Sequence, residues 1–119
     1  YWLLRQKVAV LNTGELPLQF KGPDAERLLD KLFTKDITKL KTGCCVYGLA
    51  CYEDGGLLVD GILLRTAEDC FWYAQADGDF CSWARAHAVG LDVEITDPKI
   101  FISQVQGPNS MKVLTAASD

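Results

Sequence analysis

The chain has 119 residues, 49% hydrophobic and 24% charged, with a formal net charge of −4, enough for one domain with a modest core. The acidic balance, with a pI near 4.9, argues against a nucleic-acid surface, which needs a basic face. Charged residues break every apolar run well short of a membrane span. The first residues, YWLLRQKVAVL, lack the long uncharged core and small-residue cleavage site of a signal peptide. The sequence also begins without Met, so a fragment, a processed product or a natural short form is expected.

In chain order, Leu16, Leu18 and Phe20 alternate with Pro17 and Gln19 and predict a short half-buried strand. Gly22-Pro23-Asp24 follows, with Pro suited to a first helical turn and Gly22 or Asp24 to the cap. Ala25, Leu28, Leu29, Leu32 and Phe33 then recur at helical spacing. Thr34 to Gly43 is polar and reads as a connector. Cys45 to Tyr52 and Leu57 to Arg65 predict two strands joined by the turn Glu53-Asp54-Gly55-Gly56. After Thr66 to Asp69, Cys70 to Ala76 predicts an aromatic strand. A helix from Asp77-Gly78-Asp79 through Trp83 to Val89 would stop at Gly90. Leu91 to Thr96 and Phe101 to Gln106 read as strands around Asp97-Pro98, and Ser110 to Ala117 begins a helix. The segment Leu18 to Leu29 echoes Ser103 to Leu114: strand, Gly-Pro, Asp or Asn, helix. That echo suggests a duplicated strand–helix framework, against the plainer view that Gly-Pro-Asp/Asn starts many helices.

The five cysteines form no CxxC pair, and the chain has one histidine, so a zinc site of the common kinds is not expected and no metal ligands are assigned. The cysteines read as reduced, mostly small core residues of a cytoplasmic protein. His87, near the end of its helix, suits the helix dipole and reads as structural or surface. Phe71, Trp72 and Tyr73 read as core, although neighbours on a strand must face both sides.

Asp60 is the anomaly. If Leu57 to Leu64 is one strand, Leu58, Asp60, Ile62 and Leu64 share a face. A carboxylate among aliphatic side chains suits a group that orients, or takes a proton from, a polar ligand. The competing view is a turn, because Asp60-Gly61 is itself a hairpin signal. Periodicity leaves the two open.

The ordered set Gly22-Pro23-Asp24-Ala25, Leu32-Phe33-Thr34-Lys35-Asp36-Ile37, Lys41-Thr42-Gly43, Tyr47, Glu53-Asp54-Gly55-Gly56, Asp60 and Gln106-Gly107-Pro108 resembles the folate-binding domain of the glycine cleavage T-protein (aminomethyltransferase) family. The match runs in order from Leu16 to Leu114. Phe71 to Asp79 and Gly90 to Pro98 resemble the dimethylsulfoniopropionate demethylase branch. The resemblance implies an α+β fold with helices packed on an antiparallel sheet, and a single domain over 1–119 that is part of that folate-binding domain. It implies tetrahydrofolate as cofactor and a small-molecule methyl or aminomethyl donor. Asp60 would steer the folate during transfer, with Tyr47, Gln75 and Ala76 beside it. Gln75 stands where the family has Asn, and Val59 where the T-protein often has a second Asp. The family's enzymes are several times longer, so a non-catalytic folate-binding or assembly module is the alternative to a one-carbon transferase or demethylase. An apolar face left uncovered would favour a homodimer.

Overall fold

The structure, a computed structural model, describes residues 1–118. They form two compact units, residues 1–14 with those from 101 onward, and residues 15–100. The larger unit carries a five-stranded antiparallel sheet in the order β3-β4-β5-β2-β6. Its strands are β2 (Leu16–Lys21), β3 (Cys45–Cys51), β4 (Leu57–Ala67), β5 (Cys70–Gln75) and β6 (Glu94–Thr96). Two helices, α2 (Ala25–Leu32) and α3 (Phe80–His87), and the segment after α2 with Phe33, Ile37 and Leu40 supply the rest of its core. This is the expected α+β arrangement, with one sheet face buried under helices.

Register explains which side chains are buried. Leu18 pairs with Tyr73 and Phe20 with Phe71, and Phe20 also pairs with Ile95; all five side chains enter the core. Helical spacing places Ala25, Leu28, Leu29 and Leu32 of α2 on them. Phe33 leaves the helix and makes an isolated bridge to Ala50, bringing its ring against Tyr73 and Phe80. Asp79 caps α3 by accepting the Ser82 backbone N–H at 3.1 Å, so the helix starts where its sequence signal stands. Leu16, expected inward by alternation, lies at the strand end and is exposed.

The smaller unit pairs β1 (Ala9–Asn12) with β7 (Ser103–Gln106) and adds the short helices α1 (Trp2–Gln6) and α4 (Ser110–Ala117). Its geometry settles the sequence echo. At Gly22 a Cβ would lie 2.4 Å from the Asp92 carbonyl; at Gly107, 85 residues on, it would lie 2.5 Å from the Lys7 carbonyl. The Asp24 N–H donates to Asp92 O at 3.2 Å, and the Asn109 N–H to Lys7 O at 3.1 Å. The same offset relates two side-chain turns, Gly14 N–H to Asn12 Oδ1 at 3.1 Å and Lys99 N–H to Asp97 Oδ1 at 2.7 Å. Gly14 and Lys99 both have φ near +60° (64° and 55°). The repeat thus spans two strands and a helix, longer than the sequence alone shows. Its pairing is crossed: the first strand of each copy bonds the second strand of the other, β1 with β7 and β6 with β2.

The cysteine expectation fails in part. All five thiols are free, but Cys44 and Cys45 are exposed and Cys51, Cys70 and Cys81 half-buried. None lies in the buried core, because the sheet's inner face is filled by larger side chains and by close backbone approach.

Candidate functional site

Asp60-Gly61 is no turn. Both residues sit in the middle of β4, with Asp60 opposite Leu49 and Gly61 opposite Gly48 on β3. The inner face of this hairpin carries Gly48, Ala50, Val59, Gly61 and Leu63. The two glycines are where aromatic rings lie on the backbone: a Cβ at Gly48 would meet the Phe33 ring at 2.8 Å, and one at Gly61 would meet Tyr73 at 3.1 Å. Asp60 therefore belongs to the opposite, uncovered face, half-buried, with Tyr47, Leu49 and Ile62. The aliphatic surroundings read from the sequence are there, but they form an open sheet surface and not a core.

Tyr47 lies diagonally across from Asp60, opposite Ile62, within reach for a long side chain. Its hydroxyl donates to Asp60 Oδ2. That bond to the carboxylate, then partial burial, then the Asp60 charge, raise the Tyr47 pKa above its ordinary value. The pair is a carboxylate fixed in direction by a retained phenol proton, leaving its other oxygen able to accept from a ligand N–H.

The remaining expected residues are placed differently. Gln75 pairs with Gly61 from β5, and its side chain is buried on the inner face. There Nε2 donates to the Gly78 carbonyl at 3.4 Å and Oε1 has no partner among the described residues. Gln75 is thus on the other side of the sheet from Asp60. Ala76 is exposed just beyond the end of β5. A third group on the outer face was missed: Trp72 Nε1 donates to Gln19 Oε1 at 3.0 Å, and Gln19 Nε2 to Thr96 Oγ1 at 3.5 Å. The signal for it is the alternation of Phe71, Trp72 and Tyr73, which must put the middle ring outward.

Tyr73 lies beneath this surface, fully buried, with a hydroxyl that has no partner among the described residues. Burial first, then the charges of Asp60 and Tyr47, push its pKa far above the ordinary value of 10.0. The unfolded chain ionises near that ordinary value while the folded chain keeps the proton. The contribution is therefore intact below about pH 10 and is lost as pH rises toward the folded-state value. Tyr73→Phe is expected to be neutral or stabilising by about 1 kcal/mol at pH 8, since it removes an unpaired buried hydroxyl. Above pH 10 it should gain on the wild type by about 1.4 kcal/mol per pH unit. Urea midpoints of both proteins between pH 8 and 11 check this, and parallel curves would refute it.

The family model described as GCVT N-terminal domain matches residues 1–119. An aminomethyltransferase from Anoxybacillus flavithermus is 38% identical over 111 residues, covering 88% of this chain and 29% of that protein. Dimethylsulfoniopropionate demethylase DmdA from Ruegeria pomeroyi is 32% identical over 110 residues, covering 90% of this chain and 30% of that protein. The chain thus spans under a third of these curated relatives. Among solved structures, glycine cleavage system aminomethyltransferase T from Bartonella henselae superposes with a TM-score of 0.87 at 24% identity, covering 96% of this chain and 33% of that one; that likeness speaks to fold. With the model spanning its whole length, the chain belongs to the GCVT N-terminal domain family, the group that contains the aminomethyltransferases and DmdA.

Proposed function

We propose that this chain is the folate-binding part of a tetrahydrofolate-dependent one-carbon transferase, moving a methyl or aminomethyl unit from a small-molecule donor. The observation that carries the reading is the Tyr47–Asp60 pair standing on an uncovered, largely apolar sheet face. A flat, nitrogen-rich ring system needs such a pairing of surfaces: an apolar plane for its face and an acceptor at its edge for its N–H groups. Ile62 of β4 and Ala74 of β5 pair across that face, and Ala74 leaves room for a ring above the strand. Tetrahydrofolate supplies the nitrogen nucleophiles that accept the one-carbon unit. The chain's own residues orient it: Asp60 accepts from the ring edge, and Tyr47 holds the carboxylate in one direction. Such placement acts by positioning and electrostatics, not by covalent chemistry. Gln75 enters this reading only as a buried support beneath β4, and Ala76 as a small residue at the exposed end of β5.

Titration calorimetry with tetrahydrofolate tests it. Wild-type chain is expected to bind, and Asp60→Asn to bind about tenfold or more weakly, the effect of losing a charged acceptor. Tyr47→Phe should weaken binding by a smaller factor, because the carboxylate remains. No binding by the wild type, or equal binding by Asp60→Asn, would sink the assignment. Binding without turnover when donor is added would favour the non-catalytic module.

A further inference from the structure

A second cleft lies away from Asp60, between the end of α2, the β3–β4 turn and α3, with a volume of about 270 Å³. Its floor is apolar: Leu32 and Phe33 are buried core residues and Cys51 is half-buried. Its walls are aromatic. Tyr52 and Trp83 meet edge to face with centroids 5.2 Å apart at 86°, and Trp83 lies 4.5 Å from the His87 ring.

The charged and titratable side chains at the cleft are Glu53, His87 and Lys31. His87 Nδ1 lies 2.9 Å from the Trp83 carbonyl, which can only accept, so Nδ1 carries the proton. Its Nε2 lies 3.7 Å from Glu53 Oε1. The Glu53 carboxylate and the Tyr52 and Trp83 rings attract positive charge. Lys31, also at the mouth, is the opposing group; it is exposed on α2 and its flexible stem lets the ammonium turn to water.

From this convergence we propose that the cleft between α2, the β3–β4 turn and α3 binds a small methylated ammonium ion. A bare ammonium would have to trade its water shell for hydrogen bonds that the apolar floor does not offer. Methyl groups need none, and they spread the charge over a surface that Leu32, Phe33 and Cys51 can cover. Trp83 and Tyr52 take the cation by cation–π attraction, and Glu53 supplies the net charge.

Choline is the probe, and 3,3-dimethylbutan-1-ol, its uncharged counterpart of equal shape, is the control. Both are titrated into the whole chain while the Trp83 indole and Tyr52 ring resonances are followed by NMR. Choline is expected to give saturable shifts at both, and the alcohol none. Glu53→Gln, at a side chain 79% exposed, should weaken choline about fivefold, and Lys31→Gln should tighten it about twofold, as removal of a repelling charge requires. Equal shifts from the alcohol would make the cleft merely apolar and overturn the proposal. So would the absence of saturable shifts, an unchanged Glu53→Gln, or weaker binding by Lys31→Gln, which would mark a site for anions.

Discussion

Gly61→Ala is expected to destabilise the chain by about 3 kcal/mol or more, among the largest effects of any single methyl group here. The added Cβ would stand 2.1 Å from the Ala74 carbonyl oxygen, a main-chain atom of the neighbouring strand, and 3.1 Å from the Tyr73 ring. Neither obstacle is the loose end of a side chain. Relief requires β4 and β5 to separate where Gly61 and Gln75 pair, in the middle of the sheet. Gly48→Ala is the comparison, because its obstacle is the Phe33 ring at 2.8 Å, which can tilt. The order of effect should be Gly61→Ala above Gly48→Ala, with the latter within about 1–3 kcal/mol. Chemical denaturation of the two variants beside wild type measures both. An equal or reversed order would mean that the strands are free to adjust.

Arg65→Met is expected to cost about 2–4 kcal/mol, through lost hydrogen bonds and not lost bulk. The Arg65 side chain is 12% exposed and its Nη1 lies 2.5 Å from Glu26 Oε2. Nη1 also donates to the Leu40 carbonyl at 3.0 Å, and Nη2 to the Glu68 carbonyl at 2.5 Å. The guanidinium carbon sits 4.9 Å from the Phe71 ring centre. One planar group thus ties α2, the connector after it and the β4–β5 turn to the inner face. Arg65→Lys should recover less than half of the loss, since a single ammonium does not span three acceptors set around a fork. A double-mutant cycle with Glu26→Gln, read by urea unfolding, should give a coupling of about 1 kcal/mol or more. Full rescue by lysine would show that charge alone matters.

Much of the larger unit can be read from the sequence. The period of α2, the Glu53 to Gly56 turn and the strand alternation of Leu18 and Phe20 each have a local cause, and each element formed there. The ends were less legible: β6 begins at Glu94 and β7 at Ser103, later than apolar content suggests, because strand ends are set by the partner strand. Helix α1 and strand β1 went unread, being short and lacking a cap residue or a clean period. The 3₁₀ turn Ile37–Lys39 hid in a polar connector, held by the Ile37 N–H donating to Asp30 Oδ1 at 2.8 Å.

The candidate site shows the sharper limit. Alternation correctly groups Asp60 with Leu58, Ile62 and Leu64, but it does not say which face is covered. On this hairpin the covered face is the one with two glycines, so the outer face looks the more apolar in sequence. Gln75 was set beside Asp60 by the family resemblance, and its pairing with Gly61 sends it to the other side of the sheet. Hydroxyl and carboxylate positions depend on a diagonal between strands, which only register supplies.

The crossed repeat has a consequence for how the chain is made. Ala9 pairs with Gln106, so β1 leaves the ribosome with no strand to join until about a hundred residues have followed. At ordinary synthesis rates that wait is on the order of 10 s. The β3–β4–β5 meander, by contrast, closes on neighbours within a few tens of residues and needs no distant segment. Biosynthesis therefore has an order built in: the meander before the β1–β7 pair. Val10 and Leu11 of β1, whose apolar side chains are exposed, wait unpaired in the interval.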